Sequence, residues 1–242
     1  MAIPVYVKSD PNQTRPADQQ YYLVTGSGMF LCRNEAFWES DVPTTRHPRG
    51  LAQHGAYCRP RFPPLGTAAL EYVVGFFDHV YRVHQAESVV LLLWNALRSR
   101  YRLWVPQQET KVWESSSGIR AAVDVAYQIP VPLPAGHLLV GDIHCHCDFG
   151  AYSSGTDKYD EKYRDGVHVI VGHVEREPPE FHLELSVDGY RFALEFGHLF
   201  RGYRRRRRIV PQRWLEQIKV RVQRPVWSQV STYAYPYKSK VR

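Results

Sequence analysis

The chain has 242 residues, 44% of them apolar, with a formal charge of +7 and four cysteines. That length and apolar content suffice for a buried core and exclude wholesale disorder, while the cysteines are too few for a disulfide-stapled secreted scaffold. No run approaches the ~18 apolar residues of a membrane span, and MAIPVYVKSDPNQ lacks a signal-peptide pattern, so a cytoplasmic protein with reduced thiols is expected.

The first twenty residues are polar, carry three prolines and read as an extended, poorly tied arm. Tyr21 to Thr25 and Met29 to Arg33 flank a Gly26-Ser27-Gly28 turn and predict a β-hairpin. Residues 41–64 hold five prolines without periodicity, which predicts a long loop. Beyond Leu65 the apolar positions recur every three or four residues, at Leu70, Val73, Val74, Phe77, Val80, Tyr81 and His84. This is the stripe of a helix with one buried face. The short run Val89 to Trp94, β-branched at its start, predicts a strand covered on both faces. Further strands are expected at 101–105, 120–128, 137–146, 167–174 and 181–196, the last a hairpin turning at Asp188-Gly189, with a polar helix at 156–164. The succession predicts an α/β (α+β) fold, a mixed β-sheet flanked by helices.

The residues with chemistry to offer are concentrated between Gly141 and Asp157. On a strand, His144 and His146 point to the same face, two imidazoles side by side. After seven intervening residues comes Ser154, and Asp157 follows three after it, on one side of the first turn of a helix beginning there. Two imidazoles and a carboxylate make a three-ligand set for Zn²⁺ that leaves the fourth position open. Taken alone, Ser-x-x-Asp is also an ordinary helix-capping pattern. The alternating cysteines offer a thiolate reading, but strand alternation sends Cys145 and Cys147 to the opposite face from the histidines.

His-x-His, seven residues and Ser-x-x-Asp resemble the signature of the JAB/MPN metalloproteases, or JAMM proteases, which include deubiquitinating enzymes. The resemblance covers roughly residues 65–200, with its specificity in 141–157. It implies a JAB/MPN-like, cytidine deaminase-like core at 65–200, preceded by an N-terminal extension (1–64) and followed by a basic C-terminal extension (201–242). It also implies Zn²⁺ held by His144, His146 and Asp157, with Ser154 stabilising the tetrahedral intermediate. The family places its catalytic glutamate on the strand after the first long helix, where Glu87 stands. Glu109 and Glu114 come too late in this order, and Glu71 lies inside the helix. Val105-Pro106-Gln107-Gln108 resembles the family's usual continuation. Cys147 replaces a proline common after the second histidine, and the glycine often found a few residues after the acid is missing, so the chain is a divergent relative.

The compact chain is similar to the prokaryotic branch, whose proteases accompany ubiquitin-like proteins and their activating and conjugating enzymes, in some systems as antiphage defence. The resemblance thus implies a zinc-dependent isopeptidase or peptidase acting at the C-terminal tail of a ubiquitin-like modifier. Its partners would be the modifier, its conjugates and the cognate activating and conjugating enzymes. Neither a nucleic-acid nor a membrane partner is expected. Two other classes compete: a catalytically silent scaffold, which would typically lack a zinc ligand that this chain retains, and a nucleic-acid-binding protein led by the five arginines at 204–208. Five like charges repel one another and predict an exposed, solvated turn or tail.

Overall fold

The computed structural model describes residues 3–36, 38–48, 50–160 and 164–224. The chain divides into two compact units, one running to Ala56 and one starting at Tyr57. In the first, β1 (Val5–Val7), β2 (Gln20–Thr25), β3 (Gly28–Glu35) and β4 (Trp38–Pro43) form one sheet in sequence order. β2 and β3 are the expected hairpin, and Tyr21, Leu23 and Cys32 make a small core. The arm is not loose, contrary to the sequence expectation. β1 pairs in parallel with β2, and Arg15 donates to Asn34 Oδ1 at 2.7 Å and to the carbonyls of Arg33 and Ser40. These ties are long-range and polar, so no local hydrophobic pattern announces them.

The second unit runs α1 (Thr67–His84), β5 (Val89–Asn95), β6 (Arg100–Trp104), β7 (Gln108–Glu114), β8 (Arg120–Tyr127) and β9 (Leu138–Cys145). It continues with α2 (Gly155–Asp160), β10 (Gly166–Gly172), β11 (Glu180–Val187), β12 (Tyr190–Ala193), α3 (Phe196–Leu199), α4 (Gln212–Leu215) and β13 (Ile218–Gln223). Six strands form a mixed sheet in the order β12-β11-β10-β9-β5-β6, and β13-β7-β8 form a second, smaller sheet. The mixed α and β architecture is the expected one. β5 lies between β9 and β6, and Val89 to Leu93 are fully buried, so its continuous apolar run is covered on both faces as predicted. β11 and β12 form the expected hairpin, with Asp188 and Gly189 both left-handed at its turn.

β9 and β10 are the parallel pair of the large sheet. Parallel neighbours need a crossover, and here residues 146–165 supply it, with α2 inside. The crossover leaves from the end of β9 that carries His144. Its first residues stay hydrogen-bonded to the end of β10: His146 N donates to Val171 O at 2.9 Å and Val174 N to Cys147 O at 2.8 Å. A Cβ at Gly172 would stand 2.2 Å from Ala151 N, so only glycine lets this loop lie directly against β10.

The C-terminal segment differs most from expectation. α1 buries the predicted residues Leu70, Val73, Val74, Phe77 and Val80, but also Glu71, Gly75 and Phe76 on a second side. That second side is covered by residues 203–214. Trp214 packs edge-on against Phe76, centroids 5.7 Å apart. Arg207 N donates to Glu71 O at 3.0 Å and its guanidinium meets the Glu71 carboxylate at 2.7 Å. Arg206, only 10% exposed at its side chain, pairs with Asp78 and Glu177 and donates to the carbonyls of Val174 and Arg176. The arginine run is therefore a strap pinned along α1 through Arg206 and Arg207 rather than a free tail, although Arg204, Arg205, Arg207 and Arg208 are exposed as expected. β13 then pairs with β7 in parallel. Of the aromatic residues in the C-terminal region, Trp214 joins the core, whereas Trp227, Tyr233, Tyr235 and Tyr237 lie outside the described residues. No helix among the described residues is long and apolar enough to cross a membrane.

Candidate metal centre

Strand alternation along β9 turns Asp142, His144 and His146 to one face, while Cys145 and Cys147 enter the hydrophobic core on the other. Cys145 Sγ lies 3.8 Å from Ser88 Oγ. Both thiols thus lie in the core; strand alternation accounts for Cys145, whereas Cys147 follows the end of β9 with a left-handed backbone. The imidazole centroids of His144 and His146 are 5.2 Å apart. The start of α2 closes the group from the side. Asp157 Oδ1 lies 3.5 Å from His144 Nε2, and Oδ2 lies 3.4 Å from His146 Nε2. One donor atom from each of these three residues falls within 4.8 Å of the others, an arrangement that can hold a metal ion.

Ser154 and Asp157 form a reciprocal cap. Ser154 N donates to Asp157 Oδ2 at 2.7 Å, and Asp157 N donates to Ser154 Oγ at 3.1 Å. The cap and the donor cluster thus coexist, because the cap holds the carboxylate that faces the histidines. Burial alone would raise the Asp157 carboxyl, but the hydrogen bond from His146, the charge of His144 and the bonds from Ser154 hold it well below the usual carboxylate range.

Three observations fit this cluster to a divalent cation with one remaining open position. His144 Nε2 is buried and has no hydrogen-bond partner. An orphaned ring nitrogen of that kind is costly unless something occupies it. Two imidazoles with a carboxylate are a usual donor set for zinc. Burial opposes charging His144, but the hydrogen bond and charge of Asp142, with the charges of Asp157 and Glu87, raise its imidazole to about 9. A cation on Nε2 would therefore displace a proton.

Glu87 lies just before β5. The β5–β9 register pairs Val89 with His144, and continuing that antiparallel count brings Glu87 opposite His146. Its half-buried carboxyl is pushed up to about 7, chiefly by burial and also by Cys145, against the pull of His146 and His144. The competing acids are engaged elsewhere. Glu109 meets Lys219 at 3.0 Å and Glu114 meets Arg120 at 2.7 Å, both on β7, and Glu71 is tied to Arg207. Gln108 explains how β5 begins in register beyond the reach of β6. Its buried amide accepts from Val89 N at 2.8 Å and donates to Val89 O at 3.0 Å, acting as a one-residue neighbouring strand.

The sequence reading did not single out Asp142, Arg164 and His168. Asp142 is 1% exposed, with Oδ1 3.5 Å from His144 Nδ1 and Oδ2 3.0 Å from His168 Nδ1. Arg164 Nη2 also donates to Oδ2. The period-two spacing of Asp142 from His144 was the available signal. The family of prokaryotic homologs of the JAB domain matches residues 71–185, a stretch that includes Glu87, His144, His146, Ser154 and Asp157. No individual curated protein matches the chain. With this fold and this donor cluster inside the matched stretch, residues 71–185 form a region similar to the prokaryotic homologs of the JAB domain.

Proposed function

We propose that the chain is a zinc-dependent peptidase or isopeptidase that cleaves after the C-terminal tail of a ubiquitin-like modifier, in conjugates or precursors. In this reading it acts beside the modifier's activating and conjugating enzymes in a bacterial conjugation system, of the kind that serves antiphage defence. The observation that carries the proposal is the convergence of His144, His146 and Asp157 around a buried imidazole nitrogen that lacks a partner. The match of residues 71–185 to the JAB family, which includes hydrolases, supports it.

His144, His146 and Asp157 would hold the ion, which when bound supplies Lewis acidity and lowers the pKa of a water towards ~7. Glu87 would take the proton from the attacking water and return it to the leaving amine, a role matched by a carboxyl near neutrality. Ser154 Oγ already accepts the Asp157 amide, so its own proton is free to donate to the developing oxyanion. No thiol nucleophile is required, and Cys145 and Cys147 are buried on the other face.

The test combines metal content with cleavage of a ubiquitin-like protein carrying a C-terminal extension. Wild-type chain should bind about one zinc and release the modifier. His146→Ala removes one of three protein ligands and should lose both the zinc and the hydrolysis. Full zinc occupancy in His146→Ala would show the ligand assignment to be wrong. Wild-type chain loaded with zinc yet inert towards the fusion would overturn the substrate.

A further inference from the structure

The most completely buried charged group near the centre is one that the proposed chemistry does not use. Asp142 and His168 are paired residues on β9 and β10, and each is 1% exposed. An ionised carboxylate persists in such a place only when its oxygens are satisfied. Here the two oxygens are divided. Oδ2 receives His168 Nδ1 at 3.0 Å and Arg164 Nη2. Oδ1 is left facing His144 Nδ1 at 3.5 Å. Arg164 is itself held from three directions: Nη1 donates to Tyr127 Oη at 2.6 Å, the guanidinium lies over the Tyr127 ring at 5.8 Å, and its carbonyl faces His168 Nε2 at 3.2 Å. The carboxylate is thus locked by one oxygen so that the other meets the rear nitrogen of the imidazole.

We infer that Asp142 is a positioning residue for the metal centre, fixing the His144 ring with its proton on Nδ1 so that the orphaned Nε2 is presented to the cation. This rests on the zinc reading above. A ligand histidine whose other nitrogen is unconstrained can rotate or carry its proton on the wrong nitrogen, and an outer partner of this kind typically changes metal affinity 10–100-fold. The same lock ties the end of β8, through Tyr127, and the chain beyond α2, through Arg164, to β9.

Substitution with Asn separates positioning from simple structural support. The oxygen of an Asn at 142 would stay with Arg164, which can only donate, and its NH₂ would face His144 Nδ1. His144 Nδ1 would then have to accept, moving the ring proton to Nε2, where the ion should bind. Asp142→Asn should therefore bind zinc at least as weakly as Asp142→Ala, despite being closer in shape. The experiment measures zinc affinity by competition with a chromophoric chelator, together with metal-free melting temperatures, for wild type, Asp142→Asn and Asp142→Ala. The expected result is a loss of affinity of roughly 10–100-fold in both variants, with Asn no better than Ala even where its melting temperature is higher. Affinities that follow the melting temperatures, with Asn above Ala, or that stay at the wild-type value, overturn the inference. Nitrogen NMR of the zinc-loaded wild type supplies a readout that does not depend on either variant folding. His144 should carry its proton on Nδ1 and the metal on Nε2, and ligation through Nδ1 overturns the assignment. A wild type that takes up no zinc removes the zinc reading and this inference together, whereas undiminished uptake by the variants removes the inference alone.

Discussion

Glu87 carries the sharpest expectation about a single side chain. Its carboxyl is pushed up to about 7, mainly by burial. A nearby cation favours the carboxylate form, so in the loaded protein the group should titrate at or below that value. A base works only when deprotonated, so kcat/KM should fall as the pH is lowered through this pKa. Glu87→Gln keeps the shape but cannot accept a proton. It should retain zinc, lose roughly 10²–10⁴-fold in turnover, and show no acid limb in whatever activity remains. A Glu87→Gln enzyme with wild-type turnover, or one stripped of its zinc, would remove Glu87 from the role of base. At this scale the site is unevenly legible. His144, His146, Ser154 and Asp157 follow from local rules, the two-residue period of a strand and the first turn of a helix, and the structure brings them together. Asp142 obeys the same period but gains its meaning only from His168 and Arg164, which reach it from β10 and from the chain beyond α2.

Single elements were readable where one face or both faces are apolar, as in α1, β5 and the β11–β12 hairpin. β7 was not, because its buried positions include Gln108 and Thr110 as well as Val112, and polar buried residues erase the alternation that marks a strand. The second buried side of α1 was hidden for another reason: its cover arrives from a segment more than a hundred residues away. Gly75 records that crossing. A Cβ there would stand 2.1 Å from Arg207 O, against backbone that is itself bonded to Glu71. In an exposed helix, Gly→Ala would add stability of up to about 1 kcal/mol. Beneath the strap the sign should reverse, because forcing an extra methyl into a close contact costs about 1–3 kcal/mol. Urea unfolding of Gly75→Ala should therefore show a lower midpoint than wild type; a raised midpoint would mean that the strap is not held against α1.

Across the whole molecule, the C-terminal segment forms part of the second unit's core, which bears on what can be removed. The bridge between Leu65 and Phe200 brings the segment to the start of α1. Trp214, 8% exposed, then fills the space over Phe76, and β13 pairs with β7 along six positions. Nothing in the local composition of this stretch, rich in arginine and thinly apolar, distinguishes an integral strand from a basic appendage; only the pairing partner does. A chain ending at Phe200 would expose Phe76 and Gly75 and leave β7 with β8 as its one remaining neighbour. Large-to-small changes at a buried Trp cost about 3–5 kcal/mol, against a total stability of about 5–15 kcal/mol for a typical domain. Trp214→Ala should therefore lower stability by an amount comparable to that range, and the chain truncated after Phe200 should lose cooperative unfolding altogether. Denaturant titration of both, followed by far-UV circular dichroism, checks this. The truncated chain should show a shallow transition or none, and zinc uptake should fail with it, because β9 and β5 share the core that Trp214 and Phe76 help to fill. A truncated chain that unfolds cooperatively near the wild-type midpoint and still binds zinc would instead make the JAB domain independent of everything after residue 200.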